Sequence, residues 1–421
     1  MSNKACLKQT IWPPFTHLKY AEKPVNIISS KGSYYYDEVG NKFIDAISSW
    51  WVNTHGHSHP YIAQKIYEQA NSNAHSIFSG FTHPQATRLA DRIIPLLPGN
   101  FSKVFFSDDG STAVEVALKM SIQYFSNRNL SKRKIIALEN GYHGDTFGSM
   151  SVGARNVFSQ PYREFLFEVI YLPVPNQENI QTTLDLLENQ LDLSEVAAFI
   201  FEPLVQGAGG MVMYEAKLLD KLIQTFKLKD IICIADEVMT GFGRTGKMFA
   251  CEHLKEQPDI ICLSKGLTGG FLPLGLTACK EFIYETFISN DKSHTFFHGH
   301  SYTANPISCA AANASLDLFQ KEETLNKIAQ ITHSHLEFKK DTESFLNKNW
   351  EIRICGTIMA FEYIGEKREY LSTMGETVCK ELFKKGIIIR PLGNVFYILP
   401  PYCISKEDLH YIYSEIKSIL C

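Results

Sequence analysis

Apolar runs rich in β-branched and aromatic residues recur along the chain at 103–107 (KVFFS), 134–140 (KIIALEN), 196–203 (VAAFIFEP), 231–237 (IICIADE) and 259–265 (DIICLSK). Between them lie stretches with helical spacing, such as Ala113, Val116, Ala117, Met120 and Tyr124. Continuous apolar strands alternating with helices predict an α/β fold, with a mostly parallel central sheet covered on both faces. The pattern places this large α/β domain at residues 49–318. The rest reads differently, with a helical stretch at 323–346, extended segments around 352–363 and 387–393, and a closing helix. It predicts a smaller α+β domain over residues 319–421. Residues 1–48 hold a turn-like DEVGNKFID between short extended segments and are too few for a core, so they are expected to pack on the C-terminal domain. Both chain termini would then form the small domain.

Charge and composition narrow the function. A net charge of -4 and a pI near 6.4 give no basic field for nucleic acid or anionic lipid. No apolar run approaches the length of a membrane span, and MSNKACLKQTIW lacks the apolar core of a signal peptide, so a cytoplasmic location is expected. The ten cysteines stand singly with no C-x-x-C pair, which points to reduced core thiols and not to a metal or redox centre.

In open α/β sheets ligands sit beyond the carboxyl ends of the strands, and four strand ends carry candidate chemistry. After Ser107 a helix is expected past Gly110 and Ser111, with Thr112 and Glu115 as its capping box. Its free amides suit a phosphate, although a capped helix with no ligand is the commoner meaning. A glycine-flanked turn carries Tyr142 and His143, and an aromatic ring there can lie on a planar ligand. Asp236 and Glu237 close a buried strand, where a carboxylate needs a cation or donors. A salt bridge to a residue such as Arg244 would satisfy one without any catalysis. Lys265 ends another buried strand, and most lysines so placed are solvated surface charges. Taken together the four supply an amine, a carboxylate, an aromatic face and an anion cradle, the set that pyridoxal phosphate requires. ISSWWVNTHGHSHP, at 47–60, adds paired tryptophans and alternate histidines. His55, His57 and His59 could suggest a metal, but His59-Pro60 also opens a helical pattern, and the structural meaning is preferred; no metal is expected.

The blocks SSWW, SDDGSTAVEVALKM, NGYHGDTFGSMSV, EPLVQGAGGM, ADEVMTGFGRTGK, SKGLTGG, HGHSYTANP and IRPLGNVFYILPPY span nearly the whole chain. In them the sequence resembles the class III, subgroup II pyridoxal-phosphate aminotransferases of fold type I. The resemblance implies a pyridoxal 5'-phosphate cofactor, with Lys265 as Schiff-base lysine, Asp236 beside the pyridine nitrogen, Tyr142 stacked on the ring, and Gly110 and Ser111 at the phosphate. It implies that Ser301 reaches that phosphate from a neighbouring subunit, so that a homodimer shares its active sites. Trp50, Trp51, Gly299, Arg390 and Tyr397 would bind substrate, with Arg390 on a carboxylate. The branch resembled transaminates 8-amino-7-oxononanoate to 7,8-diaminononanoate in biotin biosynthesis, with S-adenosylmethionine the preferred donor and lysine the alternative. Other ω-aminotransferases and a non-catalytic binding protein of the same fold are rivals. Ala208 in QGAGG, where many dicarboxylate-using relatives carry glutamate, argues against the first. Two departures stand out: Phe15 replaces a common tyrosine, and His300-Ser301 replaces Pro-Thr.

Overall fold

The computed structural model describes residues 10–420, apart from 322, 343–345, 347 and 366–371. At its centre is a seven-stranded sheet in the order Phe101–Ser107, Gly275–Lys280, Ile260–Leu263, Ile232–Asp236, Val196–Phe201, Lys134–Leu138, Val169–Leu172. All five apolar runs are strands of this sheet, and the pairings among the last five strands of that order are parallel. Gly275–Lys280 runs antiparallel to both its neighbours, so the sheet is mixed. Pattern missed that strand and Val169–Leu172, because the runs are short and bounded by glycine or proline.

Period-two alternation sends successive side chains to opposite faces, and both faces are covered. Phe199, Phe201, Cys233 and Ala235 pack with Leu219, Leu222 and Phe226 of the helix Ala216–Leu228. Ala198, Ile200, Ile232 and Ile234 pack with Ala113, Val116 and Ala117 of the helix Gly110–Asn127. That helix starts differently from expectation. Its cap is Asp109, whose Oδ1 accepts from the Thr112 amide at 2.8 Å while Thr112 Oγ1 accepts from the Asp109 amide at 2.9 Å. Glu115 is one turn too late for that box. It accepts instead from Thr146 Oγ1 at 2.6 Å and the Gly148 amide at 2.8 Å, which ties the Tyr142 turn to the helix.

Near the termini, Ile27–Lys31, Tyr34–Asp37 and Lys42–Asp45 form an antiparallel meander. Lys42–Asp45 also pairs in parallel with Ile387–Ile388, a strand contributed from the far end of the chain. A second antiparallel sheet runs Trp350–Cys355, Ile358–Tyr363, Val395–Ile398, Pro391–Leu392. Helices Thr324–Thr342 and Lys406–Leu420 accompany these sheets. The eight described cysteines are free thiols, and six are buried; Cys6, Cys421 and the segment MSNKACLKQ lie outside the described residues. No described helix is long and apolar enough to cross a membrane.

Candidate active site

The carboxyl ends of the central strands open on one cavity of about 520 Å³. Lys265, Asp236, Tyr142, Gly110, Ser111, Trp50, Trp51, Arg390 and Tyr397 all line it, although they come from stretches more than 300 residues apart.

At one end lies the start of the helix Gly110–Asn127. The Thr112 and Ala113 amides are used by Asp109, at 2.8 Å to Oδ1 and 3.0 Å to the carbonyl. The Gly110 and Ser111 amides are those a helix cannot satisfy itself, so they are available to an anion, with the helix dipole behind them. Space here is tight. A Cβ on Gly110 would lie 2.6 Å from Val238 Cγ1, and one on Gly144, whose φ is +127°, would lie 2.1 Å from Ser111 Oγ.

Across the cavity the Asp236 carboxylate is oriented by two donors, the Val238 amide at 3.0 Å to Oδ1 and His143 Nδ1 at 2.7 Å to Oδ2. Arg244 is not its partner, nor that of Glu237, and the suggested salt bridge is absent. Glu237 takes its hydrogen bonds from Thr240 Oγ1 and the Ala250 and Cys251 amides. Arg244 is buried among Ser48 Oγ and the carbonyls of Trp51, Asn53 and Pro400, at 2.9–3.2 Å. Lys265 emerges from Ile260–Leu263 with φ +43° and turns its Nζ over the Trp51 ring, 4.7 Å from the centroid. It is no solvated surface charge. Burial pulls its ammonium down to about 8, against the pull of Asp236 and Glu202.

The paired tryptophans reach one cavity because the backbone between them is irregular. Ser48, Ser49 and Trp51 all have φ between 54° and 66°. Asp45 fixes this bend, accepting from the Ile47 amide at 3.1 Å and the Ser49 amide at 2.6 Å. Trp51 is buried and donates from Nε1 to the Tyr397 hydroxyl at 2.8 Å. Trp50 is more open and lies under the Arg390 guanidinium at 4.3 Å, with Phe15 edge-on at 5.5 Å and Phe158 beyond Phe15 at 5.8 Å. The histidines of this stretch go separate ways: His55 to Ser315 Oγ, His57 to Asp45, and His59 to the cap of Pro60–Ser72.

Gly299 and Ser301 stand apart. Both are exposed on a surface segment outside the cavity of this chain. Sequence reasoning passed over His143 as a site residue and missed Glu202. Glu202 accepts from the Tyr142 amide at 3.0 Å and the Gly207 amide at 2.8 Å, and burial pushes its carboxyl up to about 7. Only its place at the end of Val196–Phe201 could have signalled it.

The family model described as "Aminotransferase class-III" matches residues 17–420. The chain is a class III aminotransferase. It is 46% identical over 418 residues to the adenosylmethionine-8-amino-7-oxononanoate aminotransferase of Synechococcus elongatus, covering 97% of this chain and 98% of that one. With the enzyme of the same name from Helicobacter pylori it shares 36% identity, over 97% of this chain and 95% of the relative. Among solved structures, that enzyme from Methanocaldococcus jannaschii superposes with a TM-score of 0.93 at 36% identity, covering 98% of this chain and 96% of the other. An amine transaminase from an uncultivated Pseudomonas species, in its PLP-bound form, gives 0.92 at 29% identity, covering 99% of each chain.

For a class III aminotransferase the expected cofactor is pyridoxal phosphate, and the residues present fit it. The helix start leaves the Gly110 and Ser111 amides free at the cavity that both residues line. The Asp236 carboxylate faces the cavity, already oriented, and Lys265 Nζ has no hydrogen-bond or ion-pair partner among the described residues.

Proposed function

We propose that this class III aminotransferase uses pyridoxal 5'-phosphate to move the amino group of S-adenosylmethionine to the 7-oxo carbon of 8-amino-7-oxononanoate, forming 7,8-diaminononanoate for biotin synthesis. The observation that carries the reading is that one cavity holds two cations on different aromatic rings: Lys265 lies over Trp51, and Arg390 lies over Trp50 with Phe15 edge-on to that ring. A long aliphatic acid that reacts at one end and carries its charge at the other needs such a set of amine, apolar wall and guanidinium fork. The names borne by the Synechococcus and Methanocaldococcus relatives support the same substrate.

Gly110 and Ser111 would hold the cofactor's phosphate, Asp236 its ring nitrogen, Tyr142 its ring face and Lys265 its aldehyde carbon. Bound pyridoxal phosphate supplies a carbonyl that exchanges for an amino group and a ring that accepts the electron pair of a broken C–H bond. The protein's part is positional and acid–base. Lys265, held near 8, is in part neutral at physiological pH and can take a proton from the reacting carbon and return it. His143 and the Val238 amide aim the Asp236 charge. Arg390 fixes the carboxylate, and the aromatic wall keeps water from the chain between. Trp51, held by Tyr397, limits where the Lys265 amine can swing.

The reading includes a homodimer. Ser301 is exposed outside this chain's cavity, beside the exposed aromatic side chains of Phe297 and Tyr302, and would reach a neighbouring subunit's phosphate. It also retains the division of the chain at about residues 48 and 318.

Borohydride reduction of the holoenzyme followed by peptide mass mapping tests the cofactor assignment. A pyridoxyl adduct on Lys265 is expected. An adduct on another lysine would remove the basis of the reading.

A further inference from the structure

One of the two departures from the family pattern, HGHSY, has a geometry of its own. His298 Nε2 and His300 Nε2 lie 3.3 Å apart. On the far side of the first ring, His298 Nδ1 is 3.1 Å from Lys119 Nζ. On the far side of the second, His300 Nδ1 faces Asp108 Oδ2 at 3.7 Å. Lys119 belongs to the helix Gly110–Asn127, and Asp108 lies in the turn that leads into it. The four side chains therefore join the Ser301 segment to the body of the helix at Lys119 and to the turn before it at Asp108.

The proton positions follow from the ends of this row. An ammonium can only donate, so His298 Nδ1 is the acceptor and the neutral ring carries its hydrogen on Nε2. That N–H donates to His300 Nε2, which must be bare. The hydrogen of His300 is then on Nδ1, facing a carboxylate that can only accept. Donor and acceptor match at the two hydrogen bonds with both rings neutral, and the Nδ1–H of His300 faces Asp108 across 3.7 Å as an electrostatic contact beyond hydrogen-bond length. A second proton on either ring fails. On His300 it would set N–H against N–H, and on His298 it would set N–H against the Lys119 ammonium.

We propose that His298 and His300 are positioning residues, a neutral tautomer-locked clip that holds the segment carrying Ser301 against the phosphate-cradle turn and opens on acidification. Burial holds His298 below the ordinary imidazole range, and Lys119 and His300 add to this, while Glu115 on the same helix opposes it. Thr303 Oγ1 accepts from the His300 amide at 2.9 Å, a bond inside the segment that shapes its turn and does not hold it to the helix. Phe105 and Phe296 cover the His298 ring and carry no charge. The role in cofactor retention rests on the proposed function, with the phosphate at Gly110 and Ser111 of one subunit and Ser301 reaching it from the other; the tautomer lock itself does not.

Two measurements separate these. Histidine side-chain ¹⁵N spectra of the cofactor-free full-length chain at pH 7.5, assigned by loss of a signal in His298→Gln and His300→Gln, should show His298 protonated on Nε2 and His300 on Nδ1. Both rings protonated on Nε2, or either one charged, would overturn the clip. The second reads the rate of cofactor loss from holoenzyme between pH 8 and pH 5.5. The parent should lose cofactor about tenfold faster at the acid end, the effect of one hydrogen bond of roughly average strength. His300→Gln, which can still donate and accept but cannot titrate, should flatten that profile, and His300→Phe should be fast at every pH. Parallel profiles for the parent and His300→Gln would contradict control of the segment by this pair, whatever substrate the enzyme takes.

Discussion

Replacing Lys265 with alanine is expected to lower turnover by a factor on the order of 10² to 10⁴ or more with the melting temperature little changed, because its Nζ bonds to nothing the fold needs. Steady-state assays beside thermal melts check this. Glu202 gives a pH signature. Its folded carboxyl, raised to about 7 by burial, binds a proton between roughly pH 4.5 and 7 that the unfolded chain has released. Folding stability therefore falls as pH rises through that window, by about 1.4 kcal/mol for each unit of the shift. Glu202→Gln should escape the loss, so its melting temperature should gain on the parent's between pH 5 and 8; a constant difference would mean that Glu202 titrates normally. Arg390→Lys keeps a charge but loses the fork, and kcat/KM for the oxo acid should drop by roughly 1.5–3 kcal/mol equivalent, with the donor half-reaction less affected. At this scale much of the site was legible. Asp236, Lys265, Tyr142 and the paired tryptophans announce themselves as strand-end or unusual residues. His143 and Glu202 do not, because their roles come from contacts made by folding, across 93 residues to Asp236 for one and 60 to the Tyr142 amide for the other.

The helix Gly110–Asn127 packs in the core and, in the proposed site, would cradle the phosphate; its first turn is set by Asp109. Asp109→Ala should cost about 1 kcal/mol of stability through the lost cap, and should weaken phosphate binding by letting the Gly110 and Ser111 amides shift. Chemical denaturation and inorganic phosphate competition against cofactor rebinding separate the two effects. Five of the seven central strands were legible from continuous apolar runs, since burial on both faces leaves that signature. The capping box was misplaced by one turn because Thr112 and Glu115 have the right types and spacing, whereas Asp109, lying before a glycine, reads as part of a loop. The bend at Ser48–Trp51 was not legible at all. Its left-handed residues are serine and tryptophan, and nothing short of the Asp45 and Arg244 contacts explains why they adopt it.

Across the whole molecule, one cavity draws on the first fifty residues, the central strands and Arg390 near the end, so binding should tie these regions together. If Ser301 completes a neighbouring site, Ser301→Ala should speed cofactor loss, and dilution below the dimer's dissociation constant should do the same for the parent. A monomer that keeps its cofactor as firmly as the concentrated protein would contradict sharing. The reaction is defined by its amino donor as much as by its acceptor. A cation beside aromatic rings gains from their quadrupoles, and Trp50 with Phe15 offers such a surface to a sulfonium. Yet a small change at the rim could admit lysine instead. The most direct measurement mixes holoenzyme with 8-amino-7-oxononanoate and either S-adenosylmethionine or lysine, and follows 7,8-diaminononanoate by mass spectrometry. Product is expected with S-adenosylmethionine and little with lysine; product with lysine alone would contradict the donor, and none with either amine would contradict the reaction.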